Sequence, residues 1–155
     1  MNRINSKGFT LVELIVVLMI VALMMALIGT SISRNISGAE MRSAARKVAA
    51  SMRYTRTKAI LSKSEQVFLL DTESLEYKAA DRDPVVLPEG MSVELNTARS
   101  ELTSETAGGI RFFPDGGSTG GHIRLEANGR IYRVNVAWLT GEASMQRVEE
   151  GDDAF

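Results

Sequence analysis

Residues 7–18 read KGFTLVELIVVL. One carboxylate, Glu13, is set in a segment that is otherwise apolar from position 9 to position 28, Thr10 excepted. A 20-residue helix rises about 30 Å, the thickness of a bilayer's hydrocarbon core. Thirteen of these residues are Leu, Ile, Val or Phe. Together they favour insertion by roughly 4–8 kcal/mol, against roughly 3 kcal/mol for an acid at mid-bilayer. Glu13 lies near the start of the segment, where the penalty is smaller, so residues 9–28 are predicted to cross a membrane. Arg3 and Lys7 precede them, which puts the short leader in the cytoplasm and the rest of the chain outside it. From these residues alone a cleaved secretory signal stays open, with an apolar run over 14–28 and small residues Gly29 and Ser31 behind it.

The octet KGFTLVEL resembles the processing site of type IV pilins and pseudopilins: a basic leader ending in Gly, then Phe, then Glu at the fifth position beyond the cut. Gly8, Phe9 and Glu13 hold the matching places. The resemblance implies that a prepilin peptidase cuts between Gly8 and Phe9, leaving leader 1–8 behind, and methylates the new Phe9 amine. It also implies that Glu13 pairs with the Phe9 amine of a neighbouring subunit in a filament. The physics agrees with that pairing. Two charges that are separately unfavourable in lipid become an ion pair, so the carboxylate favours assembly over dispersal. The pair sets axial register, while apolar packing of the stems supplies most of the affinity.

Charge divides the chain unevenly. Residues 1–63 carry ten basic and two acidic side chains, and residues 64–155 carry eight and 17. A basic stem thus joins an acidic head, within a length that suits one domain. There is no cysteine, which excludes a disulfide framework, thiol redox chemistry and a Cys-based metal site. Residues 29–38, GTSISRNISG, are poor helix formers, and the stem helix is expected to continue through them but to loosen. From 39 to 63 a helical period returns: Met41, Ala45, Val48, Met52, Thr55 and Ala59 fall on one face. A continuous helix over 9–63 would be about 80 Å long, half of it in the membrane and half laid on the head.

Arg42, Arg46, Lys47, Arg53, Arg56 and Lys58 occupy much of the remaining helix surface. Basic stripes bind phosphates, which raises a nucleic-acid reading. The stripe also adjoins a membrane whose anionic lipids attract the same charges, and Tyr54 is the sole interleaved aromatic. Nucleic acid is therefore not an expected partner.

After Lys63 the pattern turns to period two. Residues 66–70 and 75–79 read as a hairpin about Asp71-Thr72-Glu73-Ser74, and 91–95 as a third strand. Polar residues 96–109 read as a long loop and a candidate partner surface. Residues 110–113 form a strand ended by Pro114, and 122–127 place Ile123, Leu125 and Ala127 on one face. Asn128-Gly129 is a hairpin turn, followed by 130–138 with Tyr132, Val134, Val136 and Trp138 on one face and Arg133 and Asn135 on the other. A turn at Thr140-Gly141 leads to a short strand within 142–148.

The segment PDGGSTGG, residues 114–121, has glycines enough for a phosphate loop, but no Lys follows the last Gly. It reads as a glycine-permitted turn. Asp115 alone is too few carboxylates for a hard cation. The single histidine, His122, lies opposite Ile123 and Leu125, where solvent exposure is expected, with no second histidine and no cysteine to act with it. No catalytic residue, metal or cofactor is expected. The tail EEGDDAF, residues 149–155, holds four carboxylates in seven residues and is expected to be disordered.

FFPDGGSTGGHIRL followed by NGRIYRVNVAWLTGEASM resembles the carboxy-terminal signature of H-type minor pseudopilins of type II secretion. The expected fold is α+β and pilin-like: a long amino-terminal helix, its first half (9–28) spanning the membrane and its second (29–63) a periplasmic stem, packed on an antiparallel β-sheet head (64–148). The resemblance implies a structural subunit of a short periplasmic filament. The filament helps to move folded proteins across the outer membrane. Its partners would be prepilin peptidase, other minor and major pseudopilins, an inner-membrane assembly platform and the bilayer. The alternative is a minor pilin of a type IV pilus, including a DNA-binding one used in DNA uptake.

Overall fold

The computed structural model describes residues 11–28 and 36–149, in two units that divide between Arg34 and Asn35. The first contains helix α1 (Leu11–Ile28). Its residues 11–21 are all exposed, so the described stretch is apolar around its circumference apart from Glu13. Among the described residues no helix is long and apolar enough to cross a membrane; α1 as described rises about 27 Å, and residues 9 and 10 of the expected span lie outside it.

The second unit begins with helix α2 (Gly38–Ser62). The expectation of a helix continuing from 29 to 63 is corrected here, because Ser37 is extended (φ −66°, ψ 149°) and caps a new helix. Its Oγ accepts from the Glu40 N–H at 3.1 Å, and Glu40 Oε2 accepts from the Ser37 N–H at 2.9 Å. This reciprocal capping box satisfies two helix-start donors. The Ser37 N–H and hydroxyl also hold the Glu40 carboxyl below its ordinary range. Lys63 closes the helix in the left-handed conformation (φ 51°).

Among the described residues eight strands follow: β1 (Gln66–Asp71), β2 (Glu76–Lys78), β3 (Val85–Val86), β4 (Ser92–Asn96), β5 (Ala107–Phe112), β6 (Gly121–Ala127), β7 (Arg130–Val136) and β8 (Ala143–Val148). They form two four-stranded sheets rather than one, in the orders β3-β2-β1-β5 and β4-β6-β7-β8. All pairings are antiparallel. The β1–β2 turn is built as its Asp predicts: Asp71 Oδ1 accepts the N–H groups of Glu73 and Ser74, which hold its carboxyl below the ordinary range. Asn128 and Gly129 both have positive φ (51° and 67°), the requirement of a two-residue type I′ hairpin.

Three expectations change. Residues 107–109 belong to β5, paired with β1 from Asp71↔Ala107 to Gln66↔Phe112, so the loop between β4 and β5 is shorter than the sequence suggests. β7 ends at Val136, and Trp138 is 70% exposed in the β7–β8 connection instead of sharing the core face. Arg133 does point away from Tyr132 and Val134, yet it is buried.

One core joins α2 to both sheets. The α2 face Met41, Ala45, Val48, Met52, Thr55 and Ala59 is buried throughout, together with Ala44 and Ala49. Opposite it stand Phe68, Leu70, Ile110 and Phe112 from the first sheet and Ile123, Leu125, Tyr132, Val134 and Val136 from the second. Phe68 also stacks on Tyr77, centroids 5.6 Å apart. Phe68→Ala should therefore destabilise this unit by about 3–5 kcal/mol. Urea unfolding of residues 36–155 measures it, and a loss below about 1 kcal/mol would contradict the packing.

Candidate functional site

Of the residues implied in processing and assembly, Gly8 and Phe9 lie outside the described residues, as does leader 1–8. Glu13 is described and sits in the first turn of α1. A carboxylate is favoured there by the unsatisfied N–H groups and positive end of the helix dipole. Its described neighbours Leu11, Val12, Leu14 and Ile15 are 75%, 69%, 57% and 47% exposed. The acid therefore occupies one polar position on an otherwise greasy rod.

On the head, the basic stripe of α2 is partly committed to structure. Arg53 Nε donates to the Ala143 carbonyl at 2.9 Å, and Arg56 Nε donates to the Gly116 carbonyl at 3.0 Å. Lys58 pairs with Asp81 at 3.0 Å, which raises the lysine's pKa above its ordinary value. The Arg82 guanidinium lies 4.6 Å from the centre of the Tyr54 ring. Arg42, Arg46 and Lys47, nearer the start of α2, are exposed.

The glycine-rich segment is a folded connection, as its composition predicts. Asp115 Oδ1 accepts from the Gly117 N–H, so the carboxylate serves the turn. Ser118 donates through its N–H to the Trp138 carbonyl and through its hydroxyl to the Ala137 carbonyl. At Gly121 (φ 131°) a Cβ would collide with the Asn96 carbonyl, which explains a glycine at the first residue of β6. These bonds lock the connection to the β7–β8 turn and present Trp138 and Leu139, 70% and 69% exposed. Among the described residues no group of three His, Cys, Asp or Glu side chains could hold a metal ion.

The loop proposed as a partner surface is tied down at its centre. A 3₁₀ turn at Arg99–Glu101 carries Glu101 inward, where Arg111 Nε donates to it at 3.1 Å. Arg111 also reaches Glu65 at 3.0 Å, and Glu101 foremost among these groups raises its pKa. His122 is half-buried on the outer face of the second sheet, where full exposure was expected. It stands level with Asn96 and Asn135. Burial first, then Arg133, pushes its pKa down, which favours the neutral ring.

Two family models match the chain. The prokaryotic N-terminal methylation motif covers residues 3–29, and the family described as type II transport protein GspH covers residues 44–141. The chain belongs to the GspH family. A relative, type II secretion system protein H of Xanthomonas campestris pv. campestris, is 37% identical over 140 residues, 90% of this chain and 83% of the relative. The fold is similar to that of the minor pseudopilin EpsH from the type 2 secretion system of Vibrio cholerae. One structure of that protein gives a TM-score of 0.53 at 14% identity, covering 73% of this chain and 99% of the other. A second gives 0.52 at 13%, covering 73% and 98%. The antiparallel sheets and the long helix laid on them are thus the pilin-like α+β architecture expected from the sequence.

Sequence reading missed the arginine clamps, because a helical period marks only which residues face outward, not which carbonyl waits there. Arg56 lies against glycines 116 and 141, where a Cβ would press on its side chain, and no local pattern announces so long-range a contact. Arg56→Ala should lower head stability by about 1–3 kcal/mol, since it strips a charged donor from the Gly116 carbonyl. Thermal or urea unfolding measures the change, and a variant as stable as the parent would show the clamp to be idle.

Proposed function

We propose that this GspH-family chain is a minor pseudopilin, a structural and non-catalytic subunit of the short periplasmic filament of a type II secretion system. The methylation motif at one end of the chain and the GspH match over the head, both on one polypeptide, carry the reading. Prepilin peptidase cuts between Gly8 and Phe9 and methylates the Phe9 amine. Residues 9–28 then hold the chain in the inner membrane with the head in the periplasm. In sequence, residues 9–28 are apolar apart from Thr10 and Glu13, and 20 residues are what a helix needs to cross about 30 Å of hydrocarbon. A helix hydrophobic all round belongs in lipid or in a bundle of similar helices.

Assembly follows from that solvent problem. In the bilayer each stem carries a carboxylate at Glu13 and, once cut, an ammonium at Phe9. Packing stems side by side keeps their apolar surfaces out of water and lets the carboxylate of one meet the ammonium of the next. The peptidase, the other minor and major pseudopilins and an inner-membrane assembly platform are the partners this requires.

Glu13→Leu keeps the cleavage residues and the apolar surface but leaves the neighbour's ammonium without its counter-charge. Processing should proceed as in the parent, while co-purification with the other pseudopilins falls about tenfold or more. Mass spectrometry of the amino terminus and quantitative pull-down measure the two effects. Undiminished co-purification would overturn the register role of Glu13.

A further inference from the structure

Five exposed basic residues gather at one end of the head, where they outnumber the exposed acids Glu40 and Glu149. Arg42, Arg46 and Lys47 lie on the first turns of α2, Arg130 opens β7 and Arg147 is near the end of β8. The register brings them together. The Arg130 guanidinium is packed over Gly38, so that a Cβ on the glycine would stand 2.9 Å from its Nη1. Asn128 Nδ2 donates to the Ile36 carbonyl at 2.9 Å, fastening the β6–β7 turn to the start of α2. Ile131 pairs with Val148 and Tyr132 with Arg147, so the end of β8 returns to the same level. At its other end β8 meets Arg53 of α2 through the Ala143 carbonyl. β8 and α2 therefore run side by side in opposite directions, with Arg147 level with the early turns of α2.

We infer that this basic end is a docking surface for an anionic membrane, with lipid phosphates as the groups it meets. Two observations select that occupant. The charges come from three elements disposed around one end, which suits a broad charged plane. The same end is where the connection from α1 enters: nine residues, 29–37, separate α1 from α2, and even fully extended they span only about 30 Å. On the proposed anchoring, these nine residues are the whole tether between lipid and α2, so the head is held near the bilayer surface. Each arginine near an anionic surface strengthens binding about fivefold, within a Debye length of the lipid. The surface orients the head before it leaves for the filament. The location of the lipid rests on the proposed anchoring by residues 9–28, but the surface itself is a property of the head.

The test uses residues 36–155, which carry their own core, and sedimentation with vesicles of phosphatidylglycerol mixed into phosphatidylcholine, compared with phosphatidylcholine alone. Binding to the anionic vesicles only, weakening as salt rises, is expected. Arg42→Glu, Arg46→Glu and Arg147→Glu together should reduce it by more than a hundredfold, since each reversal removes a favourable charge and adds an unfavourable one. Lys63→Glu, Lys78→Glu and Arg99→Glu, which change net charge equally at exposed positions elsewhere, should leave most of it. Equal binding to both vesicles, no binding, or equal loss in the two triple variants would overturn the inference. So would retention of duplex DNA in place of vesicles, or binding that appears only once residues 149–155 are removed, because the chain's own acidic end would then be the occupant. Anchoring is tested separately: deleting residues 9–28 from the full chain should release it from membranes at high salt, whatever the head does.

Discussion

Ala45, Val48, Met52 and Ala59 lose all contact with solvent because two sheets close on one side of α2. The head depends on that seat. Each sheet presents one apolar face and neither is covered by the other, so a single helix has to serve both. Alanines at 44, 45, 49 and 59 let the helix backbone come close, while Met41 and Met52 fill the irregular space that remains. Arg53 and Arg56 then grip backbone carbonyls at the flank, which fixes the helix against sliding along its apolar stripe. The capping box at Ser37 sets where this helix starts, and the β6–β7 turn holds that start through Asn128.

The two units meet water in opposite ways. Residues 36–149 bury most of their large apolar side chains, although Leu61, Val86, Trp138, Leu139 and a few others stay exposed, whereas residues 11–21 of α1 bury none of theirs. A chain cannot keep such a rod in water, and the proposed function gives it two successive surroundings, lipid and a bundle of like stems. On that proposal Glu13 favours the second, because a neighbouring stem would bring the Phe9 ammonium to it. The basic end of the head adds a weaker, salt-sensitive hold on the first of those surroundings, one that can be given up on assembly.

Much of this was legible in the residues. The period of α2 named its buried face residue by residue, and Asn128-Gly129 and Asp71 announced their turns through their own backbone and side-chain chemistry. What stayed hidden was long-range. Alternation shows that a strand has an apolar face but not which sheet it joins, so β4 pairing with β6 while β5 pairs with β1 could not be read. Trp138 keeps the strand period of Tyr132, Val134 and Val136, yet the chain has already left the ladder there to bond with Ser118. The stem break escaped for a different reason: Ser37 and Glu40 form a capping box at the correct spacing, and the surrounding helix-weak residues masked so local a stop.

Assembly as proposed requires Glu13 to stay in the mature protein as the fifth residue, one turn from the terminal amine. The direct measurement is the mass of the amino terminus of the wild-type chain purified from bacterial membranes. The expected polypeptide begins at a methylated Phe9. One that begins at Met1, or at Ile32 after removal of a secretory signal, would contradict the proposal.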